Sequence, residues 1–175
     1  SSDLLLLPEQ HRNHLMRQAV TPFSNARWSS FETGYKYTEM GYSMVVEPAM
    51  LPVNAPQMHA EFADIPIIDT AALAILGSDD LLVNLIRAGA GQSQINDYVA
   101  WTLHKTKALG LKVINAGGSQ AFKEGAETFD LDDVLSDYGI SSRQLLQTLQ
   151  TAAVQTGLPH PVHVHCNNLG TPGNI

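Results

Sequence analysis

A single cysteine, Cys166, serves the whole 175-residue chain. No disulfide can form within it, and a cysteine-based zinc knuckle is excluded. The lone thiol fits a reducing cytoplasm, which is the expected location. Basic residues are few as well. Ten Lys and Arg stand against 17 Asp and Glu, a formal charge of −7, and they are scattered along the chain. Nucleic-acid binding is therefore not expected. Charged residues make up only 15% and hydrophobic ones 44%, where an average soluble domain carries roughly 25% charge. So little charge implies that part of the surface is covered by something else. Long apolar runs are also missing. The longest, Ile65 to Leu76, is broken by Asp69 and falls short of the ~20 residues of a membrane span. The opening SSDLLLLPEQ has no basic segment and no cleavage site, so it does not read as a secretory signal. It also lacks an initiator Met, which suggests processing or excision from something longer.

What is present is an alternation of short apolar runs with helix-period segments. Pro8 suits the first turn of a helix through Val20. Residues 25–40 read as a weak helix closed by Gly41, and Ser43 to Glu47 as a strand stopped by Pro48. Pro48, Pro52 and Pro56 predict a loop. Ile65 to Asp69 is a second strand candidate; the following AALAIL reads equally as strand or helix. Ile95, Val99 and Leu103 fall on one helical stripe within Gln94 to Leu109, with Gly110 as the stop. Leu111 to Asn115 is a strand, and residues 119–140 a long acidic loop. Ser141 and Gln144 form a capping-box pattern ahead of Leu145, Leu149, Ala152 and Ala153. Val162 to Cys166 is the last strand. Strands alternating with helices predict βαβ units and a parallel sheet. Such units carry their chemistry at the C-terminal ends of the strands.

Several residues at or near those ends are candidates. His163 and His165 are two apart on a strand, so both point to one face and can hold a zinc ion. The plainer reading is one histidine hydrogen-bonded in the core. His165 lies nearer the strand end and is the better ligand of the two. Lys112 in LKVIN is costly to bury as an ammonium. Either it snorkels to the sheet edge, or its amine is carboxylated and bridges two metals. Glu47 reads as a site carboxylate or, more simply, a capping or loop residue. His59 in QMHAEF touches a substrate or merely starts a helix. His160, between two prolines, positions a turn, and His11, His14 and His104 suit solvated helix faces. Cys166 has no basic neighbour in sequence and is not expected to be a nucleophile.

Four blocks then carry a resemblance: TGYKYTEMGYSMVVEPAMLP, IPIIDTAALAILG, DYVAWTLHKTKALGLKVINAGG and LPHPVHVHCNNLGTPGN. Together they resemble the A-subunits of formylmethanofuran dehydrogenase and of its bacterial counterpart, the formyltransferase/hydrolase complex. The match runs from about Thr33 to Asn174. The family is amidohydrolase-like. The resemblance implies a (β/α)8 TIM-type barrel with a binuclear zinc site, built from a first-strand H-x-H, a carboxylated fourth-strand lysine, histidines on the fifth and sixth strands and an eighth-strand aspartate. Lys112 matches the fourth-strand lysine. His165 matches the fifth-strand histidine, with His163 as the fallback. There is no H-x-H upstream of Thr33, since His11-Arg-Asn-His14 has the wrong spacing. A whole barrel of this kind takes ~250 residues. The expected fold is therefore α/β, a partial (β/α)8 barrel covering about strands two to five, with residues 1–175 as one segment. The four strands are expected in parallel and in chain order.

The activity the resemblance implies is zinc-dependent hydrolysis of the N-formyl group of formylmethanofuran, or its formation, in one-carbon metabolism, with methanofuran as the substrate carrier. Lys112 and His165 would carry the catalysis. Lys112, His165 and His163 would hold metal, and Asn167, Asn168 and His59 would bind substrate. The partners implied are the missing barrel segments and other subunits of the complex. A rival reading is a non-catalytic half-barrel scaffold that docks those subunits. These 175 residues by themselves are expected to be inactive and to bind zinc weakly or not at all, because too few ligands are present.

Overall fold

The computed structural model describes residues 30–114, 130–135 and 138–166. Its elements alternate: α1 (Ser30–Glu39), β1 (Met44–Met50), a 3-10 turn (Pro52–Asn54), α2 (Ala55–Ala63), β2 (Asp69–Ile75), α3 (Asp80–Arg87), α4 (Gln92–Thr106), β3 (Gly110–Ile114), α5 (Ser142–Gln155) and β4 (His163–His165). The strands are parallel and form one sheet in the order β1-β2-β3-β4. That is the expected chain order, with a helix between successive strands. It is the fold class of a partial TIM-type (β/α) barrel. By internal contacts the chain forms two compact units, one ending at Leu73 and the other beginning at Ala74.

In the first unit β1 runs through Pro48 to Met50 instead of stopping before the proline. Proline lacks a ladder donor and is tolerated on an edge strand, and β1 is the edge of this sheet. The second strand is displaced from the expected 65–69. It is the AALAI of AALAIL that becomes β2, within Asp69–Ile75, and Leu76 follows the strand. Pro66 offers no N–H, and Ile67 sits at a positive φ of 78°, so IPI cannot pair as an extended strand. A helix begins at Ala55, inside the stretch expected to be loop, with Pro56 in its first turn where its missing donor does no harm.

The second unit holds a core of Leu76, Leu82, Val83, Ile95, Val99, Leu111, Val113, Ile140, Leu145, Leu149, Ala152 and Ala153. Burying each larger side chain contributes about 1.5–3 kcal/mol. Helix α3 has no counterpart among the expected elements. Asp79 caps it, accepting from the Leu82 N–H at 2.8 Å, and Tyr98 of α4 donates its hydroxyl to the same carboxylate at 2.8 Å. Burial and that bond push the Tyr98 phenol up to about 12. Gly110 does not stop α4; Lys107 does, in a left-handed conformation, and Gly110 opens β3. The expected capping box on α5 is present: the Gln144 N–H reaches Ser141 Oγ at 3.2 Å and the Ser141 N–H reaches Gln144 Oε1 at 2.9 Å. Of the acidic loop expected at 119–140, the described part joins α5 through a bridge between Val134 and Ser141 and an Arg143–Asp132 ion pair at 2.6 Å. The helix expected at Pro8 to Val20 lies outside the described residues.

Candidate functional site

Strand β3 reads Gly-Leu-Lys-Val-Ile, and alternation divides it. Leu111 and Val113 enter the core beneath the helices. Lys112 therefore lies on the opposite face, yet it is only 3% exposed. Strand β4 pairs with β3 in parallel, placing His163 beside Lys112, Val164 beside Val113 and His165 beside Ile114. Lys112, His163 and His165 thus share one sheet face. Lys112 Nζ and His163 Nδ1 are 2.5 Å apart, 51 residues distant in sequence. With the Nδ1 position of the imidazole unprotonated, the amine donates to it; in the other tautomer a neutral amine accepts.

The electrostatics follow from that packing. Burial pulls the Lys112 amine below its ordinary range, and only the Cys166 thiol pulls it back. Burial also lowers the His163 imidazole, helped by the positive charges of Lys112 and His165. Each group is biased to its neutral form. A neutral amine can add CO₂, and a neutral imidazole can bind a metal. Cys166, free and half-buried, has no basic neighbour in sequence but lies within electrostatic reach of Lys112. Among the described residues there is no group of three or more His, Cys, Asp and Glu that could hold a metal ion. The donor set here is two imidazoles and a lysine that becomes a ligand only as its carbamate.

His59 is half-buried on α2 in the first unit, its ring edge-on to Phe62 at 5.6 Å. Glu47 of β1 is 7% exposed and accepts the Ala49 N–H at 2.9 Å. Burial raises its carboxyl above the ordinary carboxylate range. It lines a small pocket with Thr33, Tyr37, Val45, Val46, Phe62 and Ile65. His104 and His160 are exposed. Asn167 and Asn168 lie outside the described residues. Strand-end position ranks His165 ahead of His163, whereas the direct contact with Lys112 is made by His163. Only the β3–β4 register reveals that pair.

No protein-family model matches the chain. Two curated proteins do. The A-subunit of the formyltransferase/hydrolase complex Fhc of Methylorubrum extorquens is 48% identical over 152 residues, 87% of this chain and 28% of that protein. Protein FwdA of Methanocaldococcus jannaschii is 38% identical over 146 residues, 83% of this chain and 26% of that protein. The chain belongs to the same family as these two proteins. It spans under a third of the length of these relatives. A solved structure agrees: the formyltransferase/hydrolase complex (FhcABCD) of M. extorquens with methylofuran contains a chain matching at a TM-score of 0.75 and 42% identity, covering 92% of this chain and 32% of that one. Within this family, then, the segment present here carries the β3–β4 face. Among its described residues no helix is long and apolar enough to cross a membrane.

Proposed function

We propose that this chain is a segment of an amidohydrolase-type subunit that hydrolyses the N-formyl group of a formylated methanofuran-type carrier, or forms it in reverse. The observation that carries the reading is Lys112, buried on a sheet face with its amine against His163 and with His165 two residues on. The relatives add support: one is a subunit of a formyltransferase/hydrolase complex, and the solved structure of such a complex contains methylofuran. The donor set suits zinc, given two imidazoles, the nearer one biased to neutrality, and a lysine able to become a carbamate. Lys112, His163 and His165 would hold the metal. When bound, a zinc pair supplies Lewis-acid polarisation of the formyl carbonyl and activation of water.

The chain's own residues do the preparatory work. The desolvated Lys112 amine is biased to keep its lone pair, so its nitrogen can attack CO₂; the N–C bond forms as one C=O π bond opens onto oxygen, and the nitrogen's proton passes to solvent, leaving the carbamate anion. His163 accepts from Nζ–H and holds the side chain in one rotamer. Asn167 and Asn168, next after Cys166 in sequence, would bind substrate. The site is completed by barrel segments and subunits beyond this segment, in the cytoplasm, where Cys166 stays reduced.

The test is formate release from the formylated carrier by the full-length protein in its complex, with Lys112→Met beside the wild type. Loss of even an outer partner to a metal ligand commonly costs 10–100-fold. We expect about 100-fold or more here, with the complex still assembled. Undiminished activity in Lys112→Met would contradict the proposal and leave the segment a docking scaffold.

A further inference from the structure

Gly77 lies just past the end of β2, in the turn that leads to α3, and it is buried. It is not among the glycines at positive φ, so backbone conformation does not demand glycine there. Space does. A Cβ at this position would stand 2.7 Å from Val113 Cγ1 and 3.1 Å from Val113 Cα. A methyl group can swing aside, but a Cα moves only with its strand. In a close-packed interior even one added methyl is felt as strain or a backbone shift.

Which side would shift is decided by what holds each. The turn is fixed on its far side. The Asp79 N–H donates to the Leu76 carbonyl at 3.3 Å, and the Asp79 carboxylate both caps α3 and receives the Tyr98 hydroxyl. The displacement therefore falls on β3, at the residue after Lys112. The Leu76 N–H also donates to the Lys112 carbonyl at 3.0 Å. Leu76 and Gly77 thus grip the 112–113 peptide from the β2 side, while His163 and Val164 flank it on β4.

We propose that Gly77 is a positioning residue for the Lys112 site. Its missing side chain lets the exit of β2 close on β3, and that closure seats the Lys112 amine against His163. The inference rests on the proposed chemistry of Lys112 and adds a residue outside the donor set on which that chemistry depends.

The experiment uses the full-length protein in its complex and compares Gly77→Ala with the wild type by two readouts. The first is zinc affinity, expected to weaken by about tenfold or more, as when an outer partner of a metal ligand is lost. The second needs no metal. In chelator-treated protein the buried Lys112 amine is acetylated with acetic anhydride and its peptide followed by mass spectrometry. Labelling should be faster by about fivefold or more, because a loosened seat opens more often. Adding Val113→Ala to Gly77→Ala removes the nearest colliding atom and should restore part of both losses. A merely structural Gly77 would lower the melting temperature and leave zinc affinity and labelling at wild-type values, which would overturn the inference. Weakened zinc with unchanged labelling, or no recovery in the double variant, would overturn it as well. If the wild type itself binds no zinc, the proposed chemistry falls and this inference with it. Should Gly77→Ala fail to fold, Val113→Ala loosens the same contact without a clash and is read against Val99→Ala, a truncation in the same core on α4. Faster Lys112 labelling in Val113→Ala alone supports the inference, and equal rates in the two overturn it.

Discussion

Glu47 and Lys112 are both charged residues buried on strands, one in each compact unit, and burial pushes each toward its neutral form. Their neighbours differ. Glu47 takes its hydrogen bond from Ala49, two residues away, in a pocket lined largely by apolar side chains. Lys112 takes its partner from His163, 51 residues away, on a face that also bears His165. A buried charge satisfied by its own strand is explained by local structure. A buried charge met by titratable groups from a distant strand needs a fold to assemble it. Convergence, more than burial, is what marks a site.

The largest expected effect separates the two directly. In the full-length protein, Lys112→Met should lower formyl hydrolysis by about 100-fold or more, whereas Glu47→Gln should leave turnover within about threefold. Steady-state formate release measures both. Equal losses would erase the distinction.

The next effect is in pH dependence, where the two regions should have opposite signs. Glu47's carboxyl is raised in the folded state from 4.5. Its contribution to stability is complete below 4.5 and is lost as pH rises through the folded value. His163 is lowered from 6.5. Its contribution is complete above 6.5 and is lost as pH falls, though its exposed ring makes the effect modest. Thermal melts of chelator-treated protein across the acid-to-neutral range should show both slopes. Glu47→Gln should flatten the rise-sensitive one only, and His163→Gln the acid-sensitive one only.

A smaller effect sharpens the second region. Ser141→Ala removes the cap of α5, the helix that leads to β4, and should cost about 1 kcal/mol. The melting temperature should drop while Lys112–His163 chemistry survives, because the register of β4 on β3 is set by the ladder. A large loss of activity with little loss of stability would mean that α5, not the ladder, positions the histidines.

How much of this is legible in the sequence varies by element. Alternation in LKVIN and VHVHC identifies β3 and β4, and Ser141 with Gln144 announces α5, because those signals are local. The sequence reading places β2 too early. AALAIL has no period that separates strand from helix, and the break at Pro66–Ile67 depends on Gly34 packing. Helix α3 escapes that reading because its cap, Asp79, precedes only eight helical residues. For the site, Lys112 and the two histidines are each visible as candidates. The preference for His165 comes from position along one strand; the contact of Lys112 with His163 depends on a register between two strands that neither encodes alone.

The most direct measurement is of Lys112 itself. The full-length protein should be loaded with zinc and equilibrated with ¹³C-labelled bicarbonate, and its carbamate read by ¹³C NMR alongside its metal content. A carbamate signal present in the wild type and in Glu47→Gln, and lost together with bound zinc in Lys112→Met, is the predicted result. Zinc bound at full occupancy with no carbamate signal, or equal zinc in Lys112→Met, would contradict the account.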